Sequence, residues 1–402
     1  MRVSYIMMRF PLPSETFAVR DIKALESLGV TVDVHTLRAA HKNAAHLRRE
    51  REVNHLPVYT ASATSSLQAL WESIGDAQPF RELLRWILAL DHGSPHARFN
   101  SYWFALPALA IFRRLRADPP EVVHLFWGHY PALVGHLVQQ FLPDVRLSMF
   151  VGAYDLREGF GGTPAVLHRA DLLWTHARAN VPEVALLSRR SPEDVRVVPR
   201  GLSLDHIDAA LQERTVISGK IVTTGRLIEE KGMDDALRVL RDVRDAHPQA
   251  HLVVLGEGPA RADLEKLAAS LGIEKAVTFR GHVSEDAVAR ELAEAEAFVL
   301  LSRKATERLP NAVKEAMAAD AIAITTRTPG IEELVEDGVS GFVVPQKDWQ
   351  FAARRLREVL GDRPGTRKMR ERARLRIEEQ FEVQASMRIY KEAWERVSQY
   401  ET

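Results

Sequence analysis

The chain has 402 residues, 46% hydrophobic and 27% charged, which suits two domains of ordinary size, each burying its own core. Lys and Arg (54) balance Asp and Glu (54), so there is no broad cationic field for a nucleic-acid binder, and any anion site must be local. Cysteine is absent, which excludes disulfides, thiolate nucleophiles and cysteine-ligated zinc and is compatible with a reducing compartment, the cytoplasm by default.

In chain order, the short apolar run after Met1 is interrupted at Arg9 and followed by Pro11 and Pro13. It lacks the apolar core and cleavage site of a signal peptide and reads as a buried first strand. Strands are predicted at Val3–Met7, Thr31–Thr36, Val122–Leu125, Arg146–Phe150 and Leu172–Thr175, with a helix Glu15–Leu28 capped by Ser14. Between about Leu67 and Arg116 the alternation lapses into helical segments rich in Trp and Leu, Phe80–Leu90 among them, as an insertion or a helical face would produce. The most membrane-like stretch, Phe99 to Leu115, is broken by Pro107 and closed by Arg113-Arg114, so it spans no bilayer. Trp71, Trp86 and Trp103 in this region could dock at a membrane surface, although tryptophans are more often core.

Residues 196–219, punctuated by Pro199 and Gly201, read as a domain boundary. From Lys220 onward, β-branched runs at Ile221–Thr224, His251–Leu255, Val277–Arg280, Ala297–Leu301, Ala321–Thr325 and Phe342–Val344 alternate with amphipathic helices such as Gly232–Ala246, Pro259–Leu271, Ser284–Ala293 and Asn311–Ala319. That rhythm is the mark of a doubly wound parallel sheet, and the first half repeats it more loosely. From Phe381 to Tyr400, Val383, Met387, Tyr390, Ala393, Trp394 and Val397 recur at helical spacing, and the first domain is one place to bury this stripe. The expected division is 1–200, 201–380 and a returning helix 381–402.

Three stretches of the second half fall at the C-terminal ends of predicted strands, where open α/β sheets bind ligands. Gly225 allows a sharp turn after which Arg226 and Lys231 bring two cations to the sheet mouth. They suit a diphosphate, or are merely solvated surface cations. Pro310 suits a helix start, which puts Glu307 in the preceding loop and Glu315 inside the helix. Carboxylates there can accept hydrogen bonds from hydroxyl pairs, and the amides of Asn311, Ala312 and Val313 can meet phosphate, or the two glutamates simply face solvent.

The combination Gly225-Arg226-Leu227…Lys231-Gly232, Leu255-Gly256-Glu257-Gly258-Pro259, Phe279-Arg280-Gly281-His282-Val283 and Glu307…Glu315-Ala316-Met317-Ala318 resembles the retaining GT-B glycosyltransferases of family 4. Phe10-Pro11…Ser14-Glu15-Thr16-Phe17 resembles the opening of a polysaccharide-type subset. The resemblance implies two Rossmann-like doubly wound domains facing across a cleft, the first binding acceptor and the second a nucleotide-diphosphate sugar such as a UDP- or GDP-hexose. It implies that Arg226 and Lys231 hold the diphosphate, Glu315 the ribose, Glu307 the transferred hexose, and His282 and Val283 the base through backbone groups. No cofactor or metal is implied, and the acceptor is a saccharide, a lipid-linked one included. A catalytically silent nucleotide-sugar binder and a sugar-nucleotide epimerase or hydrolase remain as alternatives.

The chain departs from the family in three places. The family histidine before the Asp is replaced in Gly152-Ala153-Tyr154-Asp155, leaving Asp155 as a candidate sugar contact, while His124 and His129 could compensate or merely pack. Arg308 follows the first glutamate where glycine is usual and, with Arg303 and Lys304, would form a basic cluster reading extra negative charge, or only aid solubility. Asp320 replaces a glycine at a helix end.

Overall fold

A computed structural model describes residues 1–12, 15–158 and 160–399. The chain divides into two units: residues 1–201 with 383–402, and residues 202–382. The helix cap assigned to Ser14 lies outside the described residues.

The first unit is built on a seven-stranded sheet of β1 (Arg2–Met7), β2 (Thr31–Thr36), β3 (Val58–Thr60), β4 (Val122–Leu125), β5 (Arg146–Phe150), β6 (Leu172–Thr175) and β7 (Val195–Val197). The order is β3-β2-β1-β4-β5-β6-β7, with every pairing parallel. Both edge strands, β3 and β7, are absent from the predicted set. Side chains of β1 alternate as a sheet buried on both faces requires: Val3, Tyr5 and Met7 join one core cluster, Ile6 the other.

Between β3 and β4 run four helices, Ala63–Glu72, Gln78–Ala89, Pro95–Trp103 and Ala105–Ala117. Their inner residues, such as Leu83, Ile87, Leu109 and Phe112, complete the Ile6 cluster, so the Trp-rich region is a helical face of this unit. Trp86 stacks on His136 at 4.0 Å between ring centres. Trp71 and Trp103 are instead 74% and 66% exposed, contrary to the commoner core placement.

The Val383–Gln399 helix packs into the Val3 cluster through Val383, Met387, Tyr390, Ala393 and Trp394. Its indole anchors on Ser148. That hydroxyl accepts from Trp394 Nε1 at 2.9 Å and Trp174 Nε1 at 2.8 Å, and lies 2.9 Å from His124 Nδ1. With both acceptor positions taken, the Ser148 hydrogen points to His124, whose Nδ1 must be unprotonated. Burial enforces the same state, lowering the His124 pKa to about 3 with help from the Arg200 charge. His124 is therefore a core residue.

The second unit holds β8 (Lys220–Thr224), β9 (His251–Leu255), β10 (Val277–Gly281), β11 (Ala297–Leu300), β12 (Ile322–Thr326) and β13 (Phe342–Val344), in the order β10-β9-β8-β11-β12-β13. All pairings are parallel. Each sheet reverses direction beside its first strand, at β1/β4 and at β8/β11. Asp320 takes a left-handed φ of 67°, the conformation a glycine adopts easily, and its carboxylate is bound by Arg214 at 2.9 Å and Arg363 at 2.5 Å. With Arg370 Nε at 3.5 Å as a third partner, ion pairs hold a helix end that glycine would form unaided.

Candidate functional site

At the β8/β11 reversal the loops leaving the two strands run side by side. The β8 loop turns through a short 3-10 segment, Glu229–Lys231, into the helix Met233–Val243. Gly232 sits at that junction with φ 66°, and a methyl group there would lie 2.0 Å from the Leu301 carbonyl oxygen of the β11 loop. Only glycine lets the two backbones approach so closely. Arg303 N donates to Glu230 O at 2.7 Å and fixes the same contact.

This arrangement brings Lys231 and Glu307 together: Nζ is ion-paired with Oε1, the side chains being 18% and 10% exposed. Oε2 of Glu307 is buried and makes no hydrogen bond among the described residues, so the carboxylate keeps unused acceptor capacity. The Lys231 stem runs past Gly225, whose missing side chain would begin 3.8 Å from it. Arg226 is exposed and forms no ion pair among the described residues. The Asn311–Ala318 helix begins just after Glu307, capped by Pro310. The Val313 amide donates to Pro310 O at 3.1 Å, and among the described residues Asn311 and Ala312 are the first-turn amides without an acceptor. Glu315 lies half-buried on the second turn.

His282 and Val283 follow β10, two strands away from β8, roughly 10 Å at the usual interstrand spacing. The turns between are stitched together: Gly225 N donates to Leu255 O at 3.0 Å, Leu227 N to Glu257 O at 3.0 Å, and Gly256 N to Gly281 O at 2.8 Å. Gly256-Glu257-Gly258 is thus a tight turn bracing the Arg226 loop.

The basic cluster expected around Arg308 does not form. Arg303 is bound to Asp234 at 2.7 Å and Asp235 at 2.6 Å, which cancel its charge locally. Arg308 is buried and its guanidinium donates to the Ala305 carbonyl, so it shapes the loop before Glu307. Among the described residues no group of three His, Asp or Glu side chains is placed to hold a metal ion.

Asp155 lies in the first unit, and its carboxylate is 1% exposed. It accepts from Gly128 N and Gly152 N, both at 2.9 Å, and contacts His129 Nδ1 at 3.2 Å. Buried, with two partners on Oδ1 and one on Oδ2, it is a clamp joining the loops after β4 and β5. Sequence reasoning missed Arg200, taken only as part of the boundary. Its guanidinium lies 4.0 to 4.9 Å from the ring centres of Phe17, Phe126, Trp127 and Phe150. Rings this far apart in sequence leave no local signal.

Residues 216–376 match the family model Glycosyl transferases group 1. WcaL of Salmonella typhimurium, named for colanic acid biosynthesis, is 26% identical, covering 96% of this chain and 97% of that protein. The amylovoran biosynthesis glycosyltransferase AmsK of Erwinia amylovora is 23% identical over 99% of this chain and 100% of its own. A crystal structure of Anabaena HepE in complex with UDP and glucose has a TM-score of 0.70 at 16% identity, over 98% of each chain. The two Rossmann-like units have the GT-B fold, and the 216–376 region together with these relatives supports a group 1 glycosyltransferase.

Proposed function

We propose that the chain is a retaining, metal-independent glycosyltransferase that moves a hexose-type sugar from a nucleotide-diphosphate sugar to an acceptor hydroxyl, with the donor held by the second unit and the acceptor by the first. The carrying observation is the Lys231–Glu307 pair at the β8/β11 reversal, with Arg226 on the same loop as Lys231 and the Asn311–Ala318 helix starting just after Glu307. Arg226 and Lys231 neutralise the diphosphate, most strongly as charge builds on it during bond cleavage. The Asn311 and Ala312 amides add the positive end of a helix. Glu307 Oε2 accepts a hydrogen bond from the transferred hexose, Glu315 takes the ribose, and the backbone beyond His282 and Val283 meets the base.

In the reaction the acceptor oxygen bonds to the anomeric carbon as the bond from that carbon to the phosphate oxygen breaks. The acceptor proton passes to the departing phosphate on the same face, so configuration is retained without a protein base. The relatives' names, colanic acid and amylovoran biosynthesis, support polysaccharide or glycoconjugate assembly. A lipid-linked acceptor at the cytoplasmic membrane face suits the exposed Trp71 and Trp103, and among the described residues no helix is long and apolar enough to cross a membrane.

Calorimetry with UDP and GDP on the full chain tests the donor assignment. At least one nucleotide should bind, and Arg226→Ala and Lys231→Met should each weaken it. Unweakened binding in both variants would refute the assignment. Product formation that needs no added acceptor would point to a hydrolase or epimerase instead.

A further inference from the structure

A helix on a protein surface normally turns its large apolar residues inward and its polar ones to water. Two of the four helices between β3 and β4 do the reverse. In the Ala63–Glu72 helix and the turn after it, the buried positions are Ser66, Ala69 and Ser73, while Leu67, Trp71 and Ile74 are 63%, 74% and 75% exposed. In the Pro95–Trp103 helix Ser101 is buried, while Phe99 and Trp103, stacked with ring centres 6.1 Å apart, are 62% and 66% exposed.

The inversion is supported by hydrogen bonds on the inner side. Ser73 Oγ donates to Ala69 O at 2.8 Å and accepts from Arg113 at 3.0 Å. Ser101 Oγ donates to Ala97 O at 2.9 Å and lies 3.3 Å from His92 Nδ1. Serines also start both helices, Ser62 accepting from Ser65 N and Ser94 from Ala97 N, each at 3.1 Å. Each helix is held by its polar side and its capped end, which leaves its apolar side unused. Among the described residues thirteen large apolar side chains are exposed, and eight of them fall between Leu67 and Trp103. Single exposed apolar residues need no explanation, but such a concentration is a contact surface.

Charge decides what it contacts. The chain as a whole is neutral, yet residues 62–117 carry six arginines against four carboxylates. Three of these carboxylates are taken by arginines of the same segment: Glu72 by Arg113, Asp76 by Arg116 and Glu82 by Arg85. Arg81 and Arg98 are exposed and form no ion pair among the described residues. Arg98 adjoins Phe99, and Arg81 lies on the Gln78–Ala89 helix, which packs against the Pro95–Trp103 helix. A second copy of the chain would bring its own surplus arginines to the interface, whereas anionic lipid headgroups neutralise them. Tryptophan, an apolar ring with one polar N–H, suits the boundary between headgroups and acyl chains.

We propose that the outward faces of these two helices dock on an anionic lipid bilayer, with Trp71, Ile74, Phe99 and Trp103 entering the headgroup boundary and Arg81 and Arg98 meeting lipid phosphates. The surface rests on the lipid-linked-acceptor reading above for its purpose, and on the inverted burial and the surplus arginines for its existence.

The test is co-sedimentation of the full chain with vesicles of phosphatidylcholine alone and of phosphatidylcholine with phosphatidylglycerol. The parent should bind the anionic vesicles and bind the neutral ones more weakly. Replacing Trp71 and Trp103 together by serine should lower the partition coefficient about tenfold or more, with Tm unchanged because both side chains are already exposed. Arg81→Gln with Arg98→Gln should remove most of the preference for anionic lipid, as raised salt should in the parent. A parent that ignores anionic vesicles, or a Trp71→Ser/Trp103→Ser protein that binds them equally well, overturns the proposal. Sedimentation velocity without lipid covers the rival occupant: a dimer that these two substitutions dissolve would assign the surface to a second copy instead. UDP and GDP binding by calorimetry should be the same in every variant, so failure of this surface and failure of the donor assignment give separate readings.

Discussion

Replacing Lys231 by methionine separates its part in the fold from its part in binding. The ammonium is the partner of Glu307 Oε1, while Oε2 is already buried without a hydrogen bond among the described residues. Without the lysine, both oxygens of a carboxylate that is 10% exposed lose compensation. Breaking a fully buried pair costs about 3–5 kcal/mol, and access of water to this loop reduces that to roughly 1–3 kcal/mol. Nucleotide affinity should fall independently: one charge-assisted hydrogen bond is worth about 1.5–3 kcal/mol, which is roughly tenfold to 150-fold in Kd. Adding Glu307→Gln to the Lys231→Met protein removes the stranded charge, so urea unfolding should regain much of the lost stability while calorimetry with UDP and GDP shows binding still impaired. A double variant that recovers both properties, or a single variant that binds as the parent does, would show that the pair is structural and that Lys231 does not touch phosphate.

Arg226→Ala should leave unfolding free energy within about 0.5 kcal/mol, because the exposed guanidinium has no ion-pair partner among the described residues, yet weaken nucleotide binding about tenfold or more. Equal losses of stability and binding would contradict that separation. Gly232→Ala meets both a left-handed φ and the Leu301 carbonyl, and should destabilise the chain by about 2 kcal/mol or more in urea, with nucleotide binding reduced. Trp394→Ala empties a fully buried site and strips Ser148 of a donor, a loss of about 3–5 kcal/mol visible as a lower Tm. Burial depresses His124 to about 3 and His136 to about 4, each with help from a nearby arginine, below the roughly 6.5 of an unfolded histidine. Above that value neither state is charged; below it the unfolded chain takes up protons that the folded one refuses. Each histidine should cost up to ~1.4 kcal/mol per pH unit as pH falls from about 6.5 toward 3 to 4, and His124→Asn should flatten the urea midpoint profile across that window.

The parallel strands of the second unit were legible because each is a β-branched run set off by an amphipathic helix, and the predicted bounds lie within a residue of the observed ones. Lys231, Glu307 and the helix after Pro310 could be placed at one sheet edge from motif order alone, and the structure brings Lys231 and Glu307 into contact. Charge balance around Arg303 was not legible. Its partners Asp234 and Asp235 lie almost seventy residues earlier, and only the loop packing around Gly232 and Leu301 joins them. The packing of Asp155 was hidden for a similar reason. Its carboxylate stands in the expected motif position, and nothing in the sequence signalled that the amides of Gly128 and Gly152 bind it.

The Val383–Gln399 helix also bears on how the chain is made. The first unit's Val3 cluster stays open on one face until Tyr390 and Trp394 arrive, so at the ribosome the first unit to emerge is the last to close, whereas residues 202–382 form one uninterrupted stretch that can finish beforehand. A fragment stopping near Gly201 would expose the surface that Trp394 covers, and is expected to aggregate unless that helix is supplied as a separate peptide.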